Sequence, residues 1–274
     1  MVALFEKNVI EIENKSSKGN QLKWRDGDWW YKADYTGYEA LAEYVISHLL
    51  IKSSLREDEF LLYDLEDIKY RNSVFHGVKS RNFLRDDWQL ITLERLFKSV
   101  YGQSLNAMIY KTENHANRLK LIVDETERLT GLKNFGEYMS KMLTIDSLFL
   151  NEDRHTHNMA ILVNGEKEYM LCPIFDQGAA LLADTTIDYP LNGNVYDMID
   201  SVKPKTFCDD FLEQLEIAEK LYGQNIKFSF SKKDVDNILE SVPRESYSKD
   251  ILDRVRTVCY ERMRQLTYLF NSQG

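Results

Sequence analysis

Two short segments carry residue types that could do chemistry together. Asn151-Glu152-Asp153-Arg154-His155-Thr156-His157-Asn158 offers an acid with an amide five residues after it, and Phe175-Asp176-Gln177-Gly178 offers a second acid ahead of a glycine. Phosphoryl transfer from a nucleotide needs this set: a carboxylate to take the proton of an acceptor hydroxyl, and oxygen ligands to hold magnesium on the phosphates. An acid and an amide at that spacing are ordinary loop chemistry on their own. The hairpin signal and the F-D-x-G step that follow make the pattern more specific. Asp153-x-His155-x-His157 also fits a transition-metal site, although no H-E-x-x-H or C-x-x-C accompanies it.

The flanking pattern explains how these groups can converge. Residues 135–150 set Tyr138, Met139, Met142, Leu143, Ile145, Phe149 and Leu150 along a largely apolar helix that ends in the loop of Asp153. Met159 to Val163 then reads as a strand, Asn164-Gly165 as a hairpin turn, and Glu166 to Ile174 as the returning segment. Asn158 and Asp176 flank the hairpin, so both can reach one ion.

A nucleotide site also needs a cation for the phosphates and a lid over them. Strands are predicted at Val9 to Glu13, Gln21 to Arg25 and Asp28 to Ala33, with turns at Ser16-Ser17-Lys18-Gly19-Asn20 and Asp26-Gly27. Lys32 stands on the third strand among Trp29, Trp30, Tyr31 and Ala33. It is either a phosphate-contacting lysine, whose buried ammonium needs a partner, or an edge lysine that snorkels to water. A helix opening near Gly37 carries Tyr38, Leu41, Ala42, Val45, Ile46, Leu49 and Leu50 as its apolar stripe, with Glu39 and Glu43 one turn apart. Either acid can pair with Lys32, and Glu39 is preferred because its charge also suits the first turn of the helix. Further strands are expected at Phe60 to Tyr63, Ile68 to Tyr70 and Val74 to Ser80. Helices are expected near residues 91–101, 114–130, 207–222, 231–242 and 248–270. Residues 179–205, directly after Asp176, read either as a substrate-access segment or as a plain surface connection.

Taken together, Ser16-Ser17-Lys18-Gly19-Asn20, Trp30-Tyr31-Lys32-Ala33-Asp34, Tyr38-Glu39-Ala40-Leu41-Ala42 and the segments at 151–158 and 175–178 resemble the HipA-like serine/threonine kinases, in particular short members built around the C-terminal kinase region. The resemblance implies an α+β, two-lobed protein-kinase-like fold, with a small antiparallel β-rich N-lobe over residues 1–86 and a mostly helical C-lobe over residues 87–274. It also implies ATP and Mg2+. Carried onto this chain, it makes Asp153 the catalytic base, Asn158 and Asp176 the metal ligands, and Lys32 the phosphate contact, with Glu39 beside it. It makes Ser16, Ser17, Lys18, Gly19 and Asn20 the phosphate-covering loop, with Ser16 or Ser17 a candidate for autophosphorylation. The chain departs from the pattern in two places: the step from Lys32 to Glu39 is short, and the lid has no G-x-G-x-x-G. No room is expected before the first strand for the N-terminal subdomain of full-length HipA toxins, so a DNA-bound complex of that kind is not implied. An antitoxin-like protein is among the partners the resemblance brings in.

Composition bounds the rest. A net charge of −9 and a pI near 5.2 argue against a general nucleic-acid binder and against adsorption to anionic membranes. Hydrophobic content of 43% over 274 residues supports a substantial core. Cys172, Cys208 and Cys259 form neither a disulfide framework nor a zinc motif and suit a reducing cytoplasm. The start of the sequence lacks a signal-peptide core, and no run approaches the roughly 20 apolar residues of a bilayer span. The expected function is an ATP- and magnesium-dependent kinase acting on a serine or threonine of a protein substrate. A small-molecule phosphotransferase of the aminoglycoside type and a nucleotide-binding pseudokinase regulator are the alternatives.

Overall fold

A computed structural model of the chain describes residues 1–10 and 21–270. The strands are β1 (Val2–Leu4), β2 (Lys23–Asp26), β3 (Trp29–Ala33), β4 (Asp64–Tyr70), β5 (Ser73–Arg81), β6 (Trp88–Thr92), β7 (Ala160–Asn164) and β8 (Tyr169–Leu171). The helices are α1 (Glu39–Leu50), α2 (Leu93–Tyr101), α3 (Leu105–Lys111), α4 (His115–Thr130), α5 (Phe135–Phe149), α6 (Val195–Ser201), α7 (Phe211–Tyr222), α8 (Lys232–Glu240) and α9 (Lys249–Gln265). The chain divides into two compact units: Met1–Asn82 with Phe175–Val202 and Lys227–Gly274, and Phe83–Ile174 with Lys203–Ile226. The first break falls between Asn82 and Phe83. The chain beyond it is shared between the units rather than forming one contiguous lobe over 87–274. Pattern within each element could not reveal this, because it does not encode which unit a later helix packs against.

The first unit is built on a five-stranded sheet in the order β1-β4-β5-β3-β2, with β1 parallel to β4 and the other pairs antiparallel. One face buries Leu4, Trp24, Tyr31, Ala33, Ile68 and Tyr70. Alternation along β3 therefore sends Tyr31 and Ala33 into that cluster and Lys32 to the opposite face. On that opposite face Ala40 of α1, Val78 of β5 and Tyr63 form a second cluster, so α1 covers the side of the sheet from which Lys32 projects. Gly77 pairs with Ala33, and a Cβ there would collide with the Lys32 carbonyl and the Ile68 side chain. Glycine at 77 thus allows the β3–β5 approach that fixes Lys32. Residues 60–63 are not a strand; β4 is one continuous run from Asp64, paired along its length with β5.

In the second unit β6, β7 and β8 form an antiparallel sheet. Strand β6 replaces part of the helix expected from residue 91, and α2 begins at Leu93, after the Thr92 hydroxyl accepts the Arg95 N–H. The β7–β8 turn is wider than an Asn-Gly hairpin. The Asn164 side-chain oxygen accepts the N–H groups of Glu166 and Glu168, Lys167 takes a positive φ of 64°, and the returning strand starts only at Tyr169. Helix α5 is buried along nearly its whole length and ends at Leu150, whose φ of 57° turns the chain out of the helix. Helix α7 starts at Phe211 rather than near 207, because the Asp210 carboxylate caps the N–H groups of Leu212 and Glu213.

Candidate active site

In the first unit, one ammonium draws two acids together. Lys32 Nζ donates to Glu43 Oε1 at 2.7 Å and to Asp176 Oδ1 at 2.8 Å, and it stands 5.3 Å from the centre of the Tyr63 ring. The Lys32 side chain is 14% exposed, Glu43 2% and Asp176 22%. Burial alone would lower the Lys32 pKa, but the carboxylates of Asp176 and Glu43 more than offset it and hold the ammonium well above its ordinary range. Burial pushes the Glu43 carboxyl up, against the pull of Lys32. Among the described residues, Glu43 Oε2 and the Tyr63 hydroxyl are buried without a hydrogen-bond partner.

The partner of Lys32 is therefore Glu43, and the preference for Glu39 is corrected. Glu39 lies on the first turn of α1 and its carboxylate is taken by the turn before the helix. It accepts the N–H groups of Tyr35, Thr36 and Gly37 at 3.1, 2.8 and 3.2 Å and the Thr36 hydroxyl at 2.7 Å. A carboxylate at a helix start satisfies orphan donors and the helix dipole together. Glu43, one turn on, is left to meet Lys32.

Asp176 reaches Lys32 through an unusual backbone. Its φ is 64°, in the left-handed region that few residues other than glycine adopt. A Cβ at Gly178 would lie 3.3 Å from Glu39 Cβ and 3.5 Å from Glu43 Oε1, so the turn after Asp176 lies close against α1. Beyond it, residues 181–190 are tied down within the same unit. The Tyr38 hydroxyl donates to the Leu181 carbonyl at 2.7 Å, Thr186 N–H to the Thr36 carbonyl at 3.0 Å, and Arg254 to the carbonyls of Tyr189 and Pro190 at 2.6 and 2.7 Å.

In the second unit the loop after α5 is held from below. Arg154, 1% exposed, grips Asp146, fully buried, with Nε to Oδ2 at 2.9 Å and Nη2 to Oδ1 at 3.0 Å, and its Nη1 donates to the Asn158 carbonyl at 3.0 Å. Asn151 adds a bond from Nδ2 to Asp146 Oδ1 at 2.9 Å. The Thr156 hydroxyl is fixed by Glu94 Oε2 at 2.8 Å. Above this frame, Asn158 Nδ2 donates to the Asp153 carbonyl at 2.8 Å and approaches Asp153 Oδ2 at 3.4 Å. His155 Nε2 lies 3.7 Å from Asp153 Oδ2, and Lys205 Nζ lies 3.6 Å from Oδ1.

Sequence reasoning singled out Asp153, Asn158, Lys32 and Asp176 and weighed Glu43 behind Glu39, but did not reach the Asp146–Arg154 anchor, Tyr63 or Lys205. The anchor had a readable signal: an acid in an apolar helix and an arginine just past its end, both too costly to bury apart. Lys205 had none, since only tertiary structure brings it to Asp153. The proposed phosphate-covering loop, Ser16 to Asn20, lies outside the described residues. Among the described residues no three His, Cys, Asp or Glu gather as a metal-binding group. His155 and His157 instead stand edge to face at 5.6 Å. Magnesium asks less of the protein, because it is held by one or two carboxylates together with substrate phosphates. In the first unit Asp176 offers a carboxylate of that kind, and in the second unit Asn158 uses its amide nitrogen, not its oxygen, toward Asp153. Cys172, Cys208 and Cys259 are buried free thiols, and burial pushes Cys208 up to about 11 and Cys259 up to about 12.

The α+β architecture, with its curled sheet and largely helical remainder, is that of a kinase-like fold. Among solved structures, the chain is similar to the Helicobacter pylori proinflammatory kinase CtkA, with a TM-score of 0.61, 17% identity, and 98% of this chain and 96% of that one covered. A weaker likeness is to a Shewanella oneidensis MR-1 toxin–antitoxin complex of HipA, HipB and operator DNA, with a TM-score of 0.40, 10% identity, and 98% and 68% covered. No family model matches the sequence, and no curated protein matches it. Among the described residues no helix is long and apolar enough to cross a membrane.

Proposed function

We propose that the chain is an ATP- and magnesium-dependent kinase that phosphorylates a serine or threonine of a protein. The observation that carries this reading is the ion pair of Lys32 on β3 with Glu43 on α1, shared with the acid of the F-D-x-G step. A strand lysine paired with a helix glutamate is the arrangement protein kinases use to hold nucleotide phosphates. On this reading Lys32 contacts the phosphates and Glu43 fixes its ammonium. Ser16 to Asn20 cover the phosphates, an assignment that rests on resemblance alone. Asp176 and Asn158 are the residues that would hold magnesium, which when bound neutralises charge on the phosphates. Asp153 orients the acceptor hydroxyl and takes its proton, and its carboxylate is fixed for that task by the loop bonded to Asp146 and Arg154.

Incubation of the protein with γ-labelled ATP, magnesium, peptides and small hydroxyl compounds, followed by mapping of the label, tests the reading and separates protein from small-molecule acceptors. Asp153→Asn should cut transfer by about 10²–10⁴-fold while nucleotide binding persists. Asp176→Ala should instead weaken magnesium-dependent ATP binding, as read by calorimetry with and without the metal. Full turnover by a folded Asp153→Asn protein removes the base from Asp153, and an unchanged metal dependence in Asp176→Ala moves the metal elsewhere.

A further inference from the structure

The residues after 202 re-enter the unit that holds Asp153 and bring Lys205 to that acid. Pro204, Thr206 and Phe207 are buried, while Lys203 and Lys205 are exposed. Arg118 Nη1 donates to the Phe207 carbonyl at 2.9 Å, so the backbone here is anchored and the lysine tips are presented from it. Lys203 turns to Asp209 at 3.2 Å. Lys205 turns to Asp153, where its Nζ stands 3.6 Å from Oδ1 with the side chain 43% exposed. That separation exceeds a hydrogen bond, so the three donors of the ammonium are not consumed by the carboxylate. The carboxylate it faces is largely closed off, the Asp153 side chain being 9% exposed, so the ammonium is the open member of the pair.

We propose that Lys205 is a further catalytic residue, binding the oxygens of the phosphoryl group during transfer; the proposal rests on the kinase reading above. In that step the acceptor oxygen bonds to the γ-phosphorus as its proton passes to Asp153. The bond from the γ-phosphorus to the bridging oxygen breaks, and its electron pair leaves with ADP. A working base stands about 2.6–3.2 Å from the hydroxyl it deprotonates. The phosphorus bonding to that hydroxyl therefore arrives one bond further on, within reach of an ammonium that stands 3.6 Å from the same carboxylate. The transition state spreads charge over the equatorial phosphoryl oxygens, and a preset cation beside them stabilises it more than the ground state.

The test compares Lys205→Met and Lys205→Arg with the wild type by two measurements. In steady-state kinetics, Lys205→Met should lower kcat by about 10²–10³-fold with the KM for ATP little changed, and Lys205→Arg should recover part of the loss. In calorimetry, the affinity for ADP and magnesium is measured with and without aluminium fluoride, which mimics the phosphoryl group in flight. The wild type should bind more tightly with the fluoride, and Lys205→Met should lose most of that gain while keeping its affinity for ADP alone. An unchanged melting temperature shows that each variant is folded. Equal gains from aluminium fluoride in wild type and Lys205→Met, or equal kcat values, make Lys205 an ordinary surface ion pair and overturn the proposal. A wild type that neither transfers phosphate nor gains affinity with the fluoride overturns the kinase reading itself, and the role of Lys205 with it.

Discussion

Glu39 and Glu43 show how one helical turn separates two jobs. Both are acids near the start of α1, yet Glu39 is spent on backbone donors of the preceding turn and Glu43 on a buried ammonium. Their neutral amides should therefore behave differently. Glu43→Gln removes the charge that counters Lys32 in a site almost closed to water, so phosphate binding and turnover should both fall. Part of the loss should appear as stability, since breaking a buried ion pair costs about 3–5 kcal/mol. Glu39→Gln removes the charge but keeps a side-chain oxygen for the turn before α1, and should leave ATP affinity near that of the wild type. Denaturation curves and ATP titrations of the two variants check this, and an ATP defect larger in Glu39→Gln than in Glu43→Gln would restore Glu39 as the partner of Lys32.

The start of α1 carries a second device that acts on the whole element. Asp34 Oδ1 accepts the Ala40 N–H at 2.6 Å and its Oδ2 accepts the Tyr247 hydroxyl at 2.7 Å, tying α1 and the segment before α9 to the end of β3. Burial pushes the Asp34 carboxyl up to about 8, against the pull of those hydrogen bonds. Its unfolded value is about 3.9, so between these pH values the folded protein holds a proton that the unfolded chain has released. Stability should then decline as pH rises through that window, by at most about 1.4 kcal/mol per pH unit, and level off above it. Urea denaturation at pH 5, 6 and 7 should show a flatter profile for Asp34→Asn than for the wild type; identical slopes would remove Asp34 as the cause. At this scale much was legible in the sequence. Periodicity found α4, α5, α8 and most of α9, and the run of apolar residues in α1 marked its buried stripe. The elements that escaped were short or set by pairing. Strand β6 exists because it pairs with β7 from Trp88 to Thr92, whereas the strand expected at 60–63 is reduced to a single bridge residue at Phe60. The site followed the same rule. Residues within a compact motif were readable, whereas Glu43 and Lys205 became visible only once other elements competed for, or were brought to, the same charges.

For the molecule as a whole, the proposed ligand should act as a stabiliser. A nucleotide that binds only the folded chain adds about 2.7 kcal/mol at a hundredfold excess over its Kd. Melting temperature should therefore rise with ATP and magnesium together in the wild type, and much less in Asp176→Ala; equal shifts in the two proteins would argue against Asp176 as a metal ligand. The division of the chain between two units has a further consequence, which concerns how the protein is made. Lys32 and Asp176 are 144 residues apart in sequence. At a synthesis rate of about 5–20 residues per second, about 7–30 s pass between the appearance of one and the appearance of the other. For most of that interval Glu43 has been made but Asp176 has not, and the sheet lacks α8 and α9, which lie in the last stretch of the same unit. All of the second unit, ending at Ile226, is by contrast translated before α8 begins. The unit that is started first is thus completed last: a chain ending shortly after residue 226 holds every residue of the second unit and lacks α8 and α9 of the first.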